Sequence, residues 1–286
     1  MNLRCLRLKA SVKVPLLMHK YIFGAFINLM FMMGAQAEML ELRGELTQGS
    51  LLRGSAPSGS EIWLNGKPIL ISDDGHFAFG FSRDAELEHQ LTWRDPEGNH
   101  HEKNIKLTSR EYDIQRIEGL PSKMVSPPQE VLDKIRQDNV QVASARSRRD
   151  VRTDFSQDFI WPAQGPISGV YGSQRVLNGQ PKRPHYGVDV AAPTGTPVYA
   201  PADGVVTLFV PDMYYSGGTM IIDHGLGVSS TFLHLSKGLV QAGDNVKQGQ
   251  LVAEIGATGR VTGAHLDWRM NWMNVRIDPA LLVPKR

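Results

Sequence analysis

The spacing of turn residues in the C-terminal half of this 286-residue chain constrains its fold more than any other feature. From Phe159 to Pro284, short Val/Ile-rich runs are separated by turn-forming pairs such as Gly217-Gly218 and Gly243-Asp244. Brief apolar runs bounded by turn residues are typical of β-strands, whereas a helix needs a longer periodic pattern. The pattern predicts a dense β-sandwich or barrel with almost no helix over residues 154–286.

A second β pattern occupies residues 38–119. Its short alternating runs are separated by Asn65-Gly66 and Asp73-Asp74-Gly75, which favour hairpin turns. We therefore expect a small antiparallel β-sandwich domain. Its titratable groups are not clustered, which favours a spacer or folding module over a catalytic role. His100 and His101 are expected to lie in a loop as solvated surface.

Residues 120–153 have the pattern of a helical linker. Ser126-Pro127-Pro128-Gln129 has the form of a capping box with proline at the first helical position, and a helix is expected to run to about Ala145. The following arginines alternate with Asp150 and Asp154 and predict a solvated linker, although they could also help docking to an anionic polymer. These arginines are Arg146, Arg148, Arg149 and Arg152.

Residues 1–37 have the features of a secretory signal. All five basic residues of this segment precede the apolar run 21–34, no acidic residue occurs before Glu38, and Ala35-Gln36-Ala37 has the form of a cleavage site. An uncleaved anchor is the alternative, but the run is shorter than the roughly 20 residues of a spanning helix. Met18 is an alternative start. We expect an exported protein of the periplasm or cell envelope, with no membrane span after cleavage.

The composition that remains after this cleavage excludes two classes of protein. The 26 Lys and Arg beyond residue 37 face 29 Asp and Glu, a formal net charge of −3, so no nucleic-acid partner is expected. The one cysteine, Cys5, lies in the predicted signal, so no disulfide can stabilise the mature chain. Stability must come from the core or from a metal.

Histidine and aspartate recur at short spacing in the C-terminal pattern. Alternate side chains of a strand share a face, so His185 and Asp189 point the same way, with Gly187 between them leaving space for an ion. Imidazole and carboxylate groups at such spacing can hold a catalytic zinc ion and leave a position for water. The residues of interest are His185, Asp189, His234, His265 and Asp267.

Each piece of this pattern has a simpler alternative. His185 and Asp189 could form a hydrogen-bonded pair, and His234 could be a core histidine with satisfied hydrogen bonds. Asp267 could pair with Arg269 on the same face of its strand. On the opposite face, Leu266, Trp268 and Met270 are expected to anchor that strand in the core.

Several further segments accompany these residues. They are Trp161-Pro162, 169–172, 184–189, 196–204, Ile222-Asp223-His224-Gly225, His234-Leu235-Ser236, Gly249-Gln250 and Gly256-Ala257-Thr258-Gly259 leading to His265. Together they resemble the lysostaphin-type, LytM-like zinc endopeptidases that cut peptidoglycan cross-bridges. The resemblance implies a barrel-sandwich hybrid, or duplicated hybrid motif. It also implies that His185 and Asp189 are zinc ligands, that His234 and His265 are the catalytic pair, and that the third ligand is at position 267.

Position 267 departs from that family, whose third ligand is normally histidine. Carboxylate oxygen binds zinc at about 2.0–2.2 Å, so ligation by Asp267 remains feasible. Two carboxylates should make the bound water less acidic and favour harder metals such as manganese. We expect reduced activity or an altered choice of divalent metal.

The sequence thus predicts an exported zinc metalloendopeptidase that hydrolyses peptide cross-links between peptidoglycan stem peptides. One alternative is a catalytically weak or silent relative that binds cell wall or activates another hydrolase, such as a cell-wall amidase. Another is a carrier domain, because 243–252 also resembles lipoyl and biotinyl barrels. The carrier reading fits poorly, since Lys237 lacks the required hairpin-tip setting.

Overall fold

The computed structural model describes residues 40–117 and 129–286. Within them the fold is mainly β with one α-helix, α1 (Leu132–Ala145), which confirms the predicted fold class. No helix of the described residues is long and apolar enough to cross a bilayer. The predicted signal 1–37 and the first residues of the predicted capping box, Ser126-Pro127-Pro128, lie outside the described residues.

The N-terminal strands form two antiparallel sheets, in the orders β1-β2-β5 and β4-β3-β6-β7. Phe77, Phe79 and Leu52 from the first sheet share one buried cluster with Ile62 and Leu91 from the second. The two sheets therefore pack face to face, as expected for a small sandwich. The strands are β1 (Glu41–Arg43), β2 (Leu51–Ser55), β3 (Glu61–Leu64), β4 (Lys67–Pro68), β5 (His76–Gly80), β6 (Glu88–Arg94) and β7 (His100–Lys106).

His100 and His101 lie in strand β7, so the prediction that they occupy a loop is wrong. His101 stands opposite Trp93 of β6, and the two rings stack with centroids 5.0 Å apart. Its Nε2 lies 2.8 Å from Oδ2 of Asp95. Cross-strand stacking of this kind stabilises the sheet. The local sequence His100-His101 does not indicate it, because the partner ring lies on another strand.

The C-terminal half is built around one ten-stranded sheet, ordered β17-β14-β15-β16-β19-β12-β9. Off this path, β18 pairs with β13 and β16, and β20 pairs with β19. These strands are β9 (Ile167–Gly169), β12 (Val188–Ala191), β13 (Pro197–Tyr199), β14 (Gly204–Met213), β15 (Gly217–Asp223), β16 (Val228–Gly238), β17 (Asn245–Val246), β18 (Leu251–Ile255), β19 (His265–Trp272) and β20 (Val275–Ile277).

Strand β19 separates the core from the polar face of this sheet. Leu266, Trp268 and Met270 are fully buried in the main apolar cluster, as their alternation predicts. His265 and Asp267 occupy the opposite face. One face of the strand therefore packs in the core, while the other carries the candidate site residues His265 and Asp267.

The N-terminal sandwich and the large sheet contact each other directly. The described residues belong to one compact unit, and Leu51 and Ala78 pack into the main apolar cluster. Strand β8 (Ile114–Ile117) pairs in parallel with β10 (Gln174–Leu177), which also pairs with β11 (Gln180–Pro181). The domain limits 38–119, 120–153 and 154–286 stay predictions.

The linker that follows α1 is only partly the solvated segment that the sequence predicts. Arg148 is exposed and pairs with Asp150, as expected. Arg146, in contrast, donates from Nη2 to Oγ1 of Thr231 at 2.7 Å. Arg152 contacts the buried carboxylate of Asp223 and donates to its backbone oxygen at 2.9 Å. Two of the arginines are therefore part of the packed structure, because each one satisfies polar groups on the sheet.

Candidate metal centre

Strands β12, β16 and β19, with the segment that precedes β12, bring the five predicted residues together. Asp189 of β12 stands directly opposite Asp267 of β19. His185 precedes β12 and lies outside any strand, while His265 is the first residue of β19. His234 belongs to β16, which pairs with β19 on its other side. The strand alternation predicted for His185 and Asp189 therefore does not apply to His185, and the two carboxylates are brought together by the pairing of β12 with β19.

His185, Asp189 and Asp267 form a cluster whose ligand atoms lie within 4.8 Å of one another. Nε2 of His185 is 3.1 Å from Oδ1 of Asp189 and 3.5 Å from Oδ2 of Asp267. Two atoms that each bind a tetrahedral zinc ion at about 2.1 Å lie roughly 3.4 Å apart. The separations in the cluster therefore match those of a metal-ligand set.

Two further observations test whether these residues fit a divalent cation. Oδ1 of Asp189 is buried and faces Nε2 of His185 at 3.1 Å and Nε2 of His265 at 3.9 Å, without a hydrogen bond of good geometry among the described residues. A Cβ atom on Gly187 would lie 2.3 Å from Oδ1 of Asp267, and one on Gly169 would lie 2.2 Å from Oδ2 of Asp189. The glycines thus leave space that larger residues would fill, and the donor set fits the cation.

All three histidines of the site present Nε2 to the cleft, because Nδ1 is bonded to the backbone. A carbonyl oxygen only accepts, so each Nδ1 must carry a proton, and Nε2 keeps a free lone pair whenever the ring is neutral. The Nδ1-to-oxygen distances are 3.2 Å from His185 to Val170, 2.9 Å from His234 to Thr258, and 2.9 Å from His265 to Gly263.

His234 reaches the site through an unusual backbone conformation, with φ at +65°. Leu233 stands opposite Asp267 on the site face, so strict alternation would turn His234 towards the core. The left-handed residue and the adjacent shift in register bring its ring to 4.8 Å from that of His265, between centroids. Burial lowers the pKa of His234, which keeps its imidazole neutral at pH 7. A neutral ring can accept a proton.

Asp267 is also held by Arg269, the alternative that the sequence left open. Nε of Arg269 lies 2.9 Å from Oδ1, and Nη2 lies 2.5 Å from Oδ2. Burial would raise the pKa of Asp267, but Arg269 and His185 hold it well below its usual range. Burial likewise would lower the pKa of His185, yet Asp189 and Asp267 raise it to about 10, so Nε2 of His185 must release a proton before it can bind a cation.

The pairing of Asp267 with Arg269, which strand alternation allows, also changes the charge of the site. Two carboxylates and one guanidinium give a formal charge of −1, the same as a site of two neutral histidines and one aspartate. The expectation of a less acidic water assumed two uncompensated carboxylates. A paired arginine two residues along the strand is the signal that could have modified that expectation.

His224 and Lys237 are not part of the cluster of candidate site residues. His224 is fully buried, with Nδ1 2.6 Å from the oxygen of Asp203 and Nε2 2.8 Å from Oγ of Ser230. It is a structural histidine with both nitrogens bonded. Lys237 lies within strand β16 rather than at a hairpin tip, which agrees with the poor fit of the carrier reading.

Comparison with known proteins identifies relatives of this sheet and its site. The model of Peptidase family M23 matches residues 183–279, a range that contains all five site residues. Peptidoglycan DD-endopeptidases ShyA and ShyB of Vibrio cholerae are each 43% identical, over 110 and 95 residues. Those alignments cover 36% and 33% of this chain and only 25% and 22% of the two proteins.

A solved structure extends the similarity beyond that range. A candidate peptidase M23 from Pseudomonas aeruginosa is 27% identical, with a TM-score of 0.64. The match covers 83% of this chain and 95% of that chain. Its extent shows that the similarity includes residues on the N-terminal side of the segment that carries the five site residues.

Proposed function

We propose, from the premise that residues 183–279 form a domain of peptidase family M23, that this protein is a metal-dependent endopeptidase of peptidoglycan. The observation that carries the proposal is the cluster of His185, Asp189 and Asp267 beside the histidine pair. The names of ShyA and ShyB favour a DD bond in a cross-link between stem peptides over a glycine bridge.

In this proposal His185 binds a divalent cation through Nε2, and Asp189 and Asp267 bind it through carboxylate oxygens. Such a cation supplies Lewis acidity, which lowers the pKa of water and polarises a carbonyl group. Nitrogen and oxygen donors suit zinc, and the second carboxylate also admits manganese. Arg269 orients Asp267 and offsets one of its charges.

His234 and His265 would move the protons of the reaction. The free Nε2 of either ring can accept a proton from the attacking water and later deliver it to the nitrogen of the leaving amine, as the C–N bond breaks. Nε2 of His265 lies 3.9 Å from Oδ1 of Asp189, so the pair borders the proposed cation. The Nδ1 proton of the other imidazole is held by a backbone oxygen. That ring can therefore donate a hydrogen bond to the developing oxyanion only when its Nε2 is also protonated.

Digestion of purified peptidoglycan tests this function. The protein supplied with zinc should convert cross-linked muropeptides to monomers, and His265→Ala should lose the activity while keeping the metal ligands. His100→Ala, on the exposed edge of the N-terminal sandwich, is a matched control that should cut at the wild-type rate. If the wild-type protein cleaves no peptidoglycan with zinc or with manganese, the proposed endopeptidase activity is contradicted.

Export belongs to the same proposal, because the substrate lies outside the cytoplasmic membrane. Residues 1–37 would direct the chain to the periplasm or cell envelope and then be removed. N-terminal sequencing of the protein from the envelope fraction should find Glu38 as the first residue. A chain that still begins at Met1 or Met18 would contradict cleavage.

The alternative function is a non-hydrolytic domain that binds cell wall or activates a cell-wall amidase. One observation favours it: both carboxylate oxygens of Asp267 already accept hydrogen bonds from Arg269. A protein of this class would leave peptidoglycan intact and raise the rate of a purified amidase. The digestion above separates the two functions, since only the endopeptidase breaks cross-links without a second enzyme.

A further inference from the structure

The site face of the large sheet continues past the metal centre into a row of polar residues. Arg269 and Asn271 follow Asp267 at alternate positions of β19, so all three side chains share one face. Thr231 of β16 stands opposite Arg269, and Arg276 of β20 stands opposite Asn271. The register therefore places Arg269 and Arg276 beside each other on the face that holds the cluster.

Arg146 joins this row from the linker. It follows the last residue of α1 and donates from Nη2 to Oγ1 of Thr231 at 2.7 Å. Its Nε is buried and has no hydrogen-bond partner among the described residues. Burial, together with the charges of Arg276 and Arg269, lowers the pKa of Arg146 to about 9, so the guanidinium is still charged at pH 7.

Two of the three guanidinium groups lack an acidic partner. Arg276 donates from Nη1 to Oδ1 of Asn271 at 2.9 Å, and neither Arg276 nor Arg146 forms an ion pair within the part of the chain that the structure describes. Arg269 uses Nε and Nη2 for Asp267, which leaves Nη1 for another acceptor. At least two N–H donors of the row, on Nε of Arg146 and Nη1 of Arg269, are therefore without an acceptor among the described residues.

Like charges that are drawn together and desolvated are unfavourable unless an anion compensates them. Guanidinium groups match oxyanions in shape and charge, because their planar N–H donors can bind two oxygens at once. Arg269 keeps 28% of its side-chain surface exposed, and Arg146 and Arg276 are half-buried, so each member of the row retains some contact with solvent. A small oxyanion can therefore reach it from outside the protein.

We propose that Arg146, Arg269 and Arg276 form an oxyanion-binding site next to the metal centre. The second part of the inference rests on the proposed function: the oxyanion is a carboxylate of the peptide substrate. Arg269 lies two residues, roughly 7 Å, along β19 from Asp267. The carboxylate that it binds would thus belong to a residue within a few positions of the scissile bond.

Inorganic phosphate is the probe for the first part, because it needs no catalysis. Titration calorimetry at constant ionic strength, set with chloride, should show saturable binding to the full chain. Arg146→Gln and Arg276→Gln should each weaken binding by at least about tenfold, the effect of losing one charge-assisted hydrogen bond. Arg148→Gln is the matched control, since Arg148 is exposed and pairs with Asp150.

Arg269 is left unchanged in this test because it also holds Asp267. Thermal unfolding without phosphate identifies any variant that fails to fold, and Arg146→Gln, in the linker, then carries the test if Arg276→Gln fails. Equal phosphate affinity in the wild type and in the folded variants, or no saturable binding, would overturn the site.

Two short cross-linked peptides test the second part, one with free carboxylates and one with the same groups amidated. The wild type should cut the free form with a lower KM, and Arg276→Gln should lose that preference while kcat changes little. Equal KM values for both peptides overturn the substrate assignment even if phosphate binds. Cleavage of neither peptide contradicts the proposed function instead, and the phosphate result then decides the site alone.

Discussion

Arg269 holds Asp267 in a two-point ion pair, with Nε 2.9 Å from Oδ1 and Nη2 2.5 Å from Oδ2. The carboxylate is almost fully buried and belongs at the same time to the cluster with His185 and Asp189. A ligand that would otherwise add a full negative charge to the site is thus compensated from within its own strand.

Removal of this arginine should destabilise the metal-free protein. Arg269→Gln leaves the buried carboxylate of Asp267 with His185 but without its two-point partner, and breaking a buried pair costs up to about 3–5 kcal/mol. Denaturant unfolding in the presence of a chelator measures the loss. Arg94→Gln, which breaks the exposed pair with Glu61, should lose less than about 1 kcal/mol. Similar losses in both variants would contradict the pairing.

A histidine at position 267 should bind zinc well only when the positive charge of Arg269 is also removed. Asp267→His alone places an imidazole beside Arg269, which repels the cation and has lost its carboxylate. The double variant Asp267→His, Arg269→Gln should bind zinc at least about tenfold more tightly than the single variant Asp267→His, since one positive charge is removed near the metal. Calorimetric zinc titration compares them. The variant Asp267→His, Arg94→Gln should match the single variant, and equal affinity in all three would contradict this account.

Space for the cation should depend on Gly187. In Gly187→Ala the new Cβ would lie 2.3 Å from Oδ1 of Asp267, so the carboxylate or the backbone must move. Elemental analysis after zinc loading should find less metal than in the wild type. Gly263→Ala is the control, because a Cβ there has no heavy atom within 4 Å. Equal metal content in both variants would contradict the prediction that Gly187 leaves space for the cation.

Buried His224 should make the fold sensitive to acid. Burial lowers its pKa to about 4 from the ordinary value of 6.5, so the unfolded chain takes up the proton first. The stability that depends on the neutral ring is present above pH 6.5 and is lost as the pH falls towards 4. The loss approaches about 3 kcal/mol. His224→Gln should show a flatter dependence of unfolding free energy between pH 7 and pH 4; identical slopes would contradict the assignment.

Much of this arrangement follows from strand periodicity. The alternation in β19 predicted that Leu266, Trp268 and Met270 enter the core and that His265 and Asp267 share the other face. The position of His234 did not follow, because its φ of +65° breaks the alternation that the pattern assumes. A single residue in a left-handed conformation leaves no signal in hydrophobic spacing.

Long-range contacts account for the other differences between prediction and structure. Arg146 and Thr231 are 85 residues apart, so the linker pattern alone could not indicate their hydrogen bond. His101 stacks on Trp93 of the neighbouring strand, a contact that the local sequence around the predicted loop does not show. In both cases tertiary contacts decide the environment of a residue whose local sequence is typical of solvated segments.

The rate of cross-link hydrolysis by the chelator-treated protein tests the central claim most directly. The wild type should be inactive on purified peptidoglycan after chelation and regain activity when zinc or manganese is returned, whereas Asp267→Ala should stay inactive with either metal at the same concentration. Activity that survives chelation, or an Asp267→Ala protein that recovers the wild-type rate, would contradict a metal centre built from His185, Asp189 and Asp267.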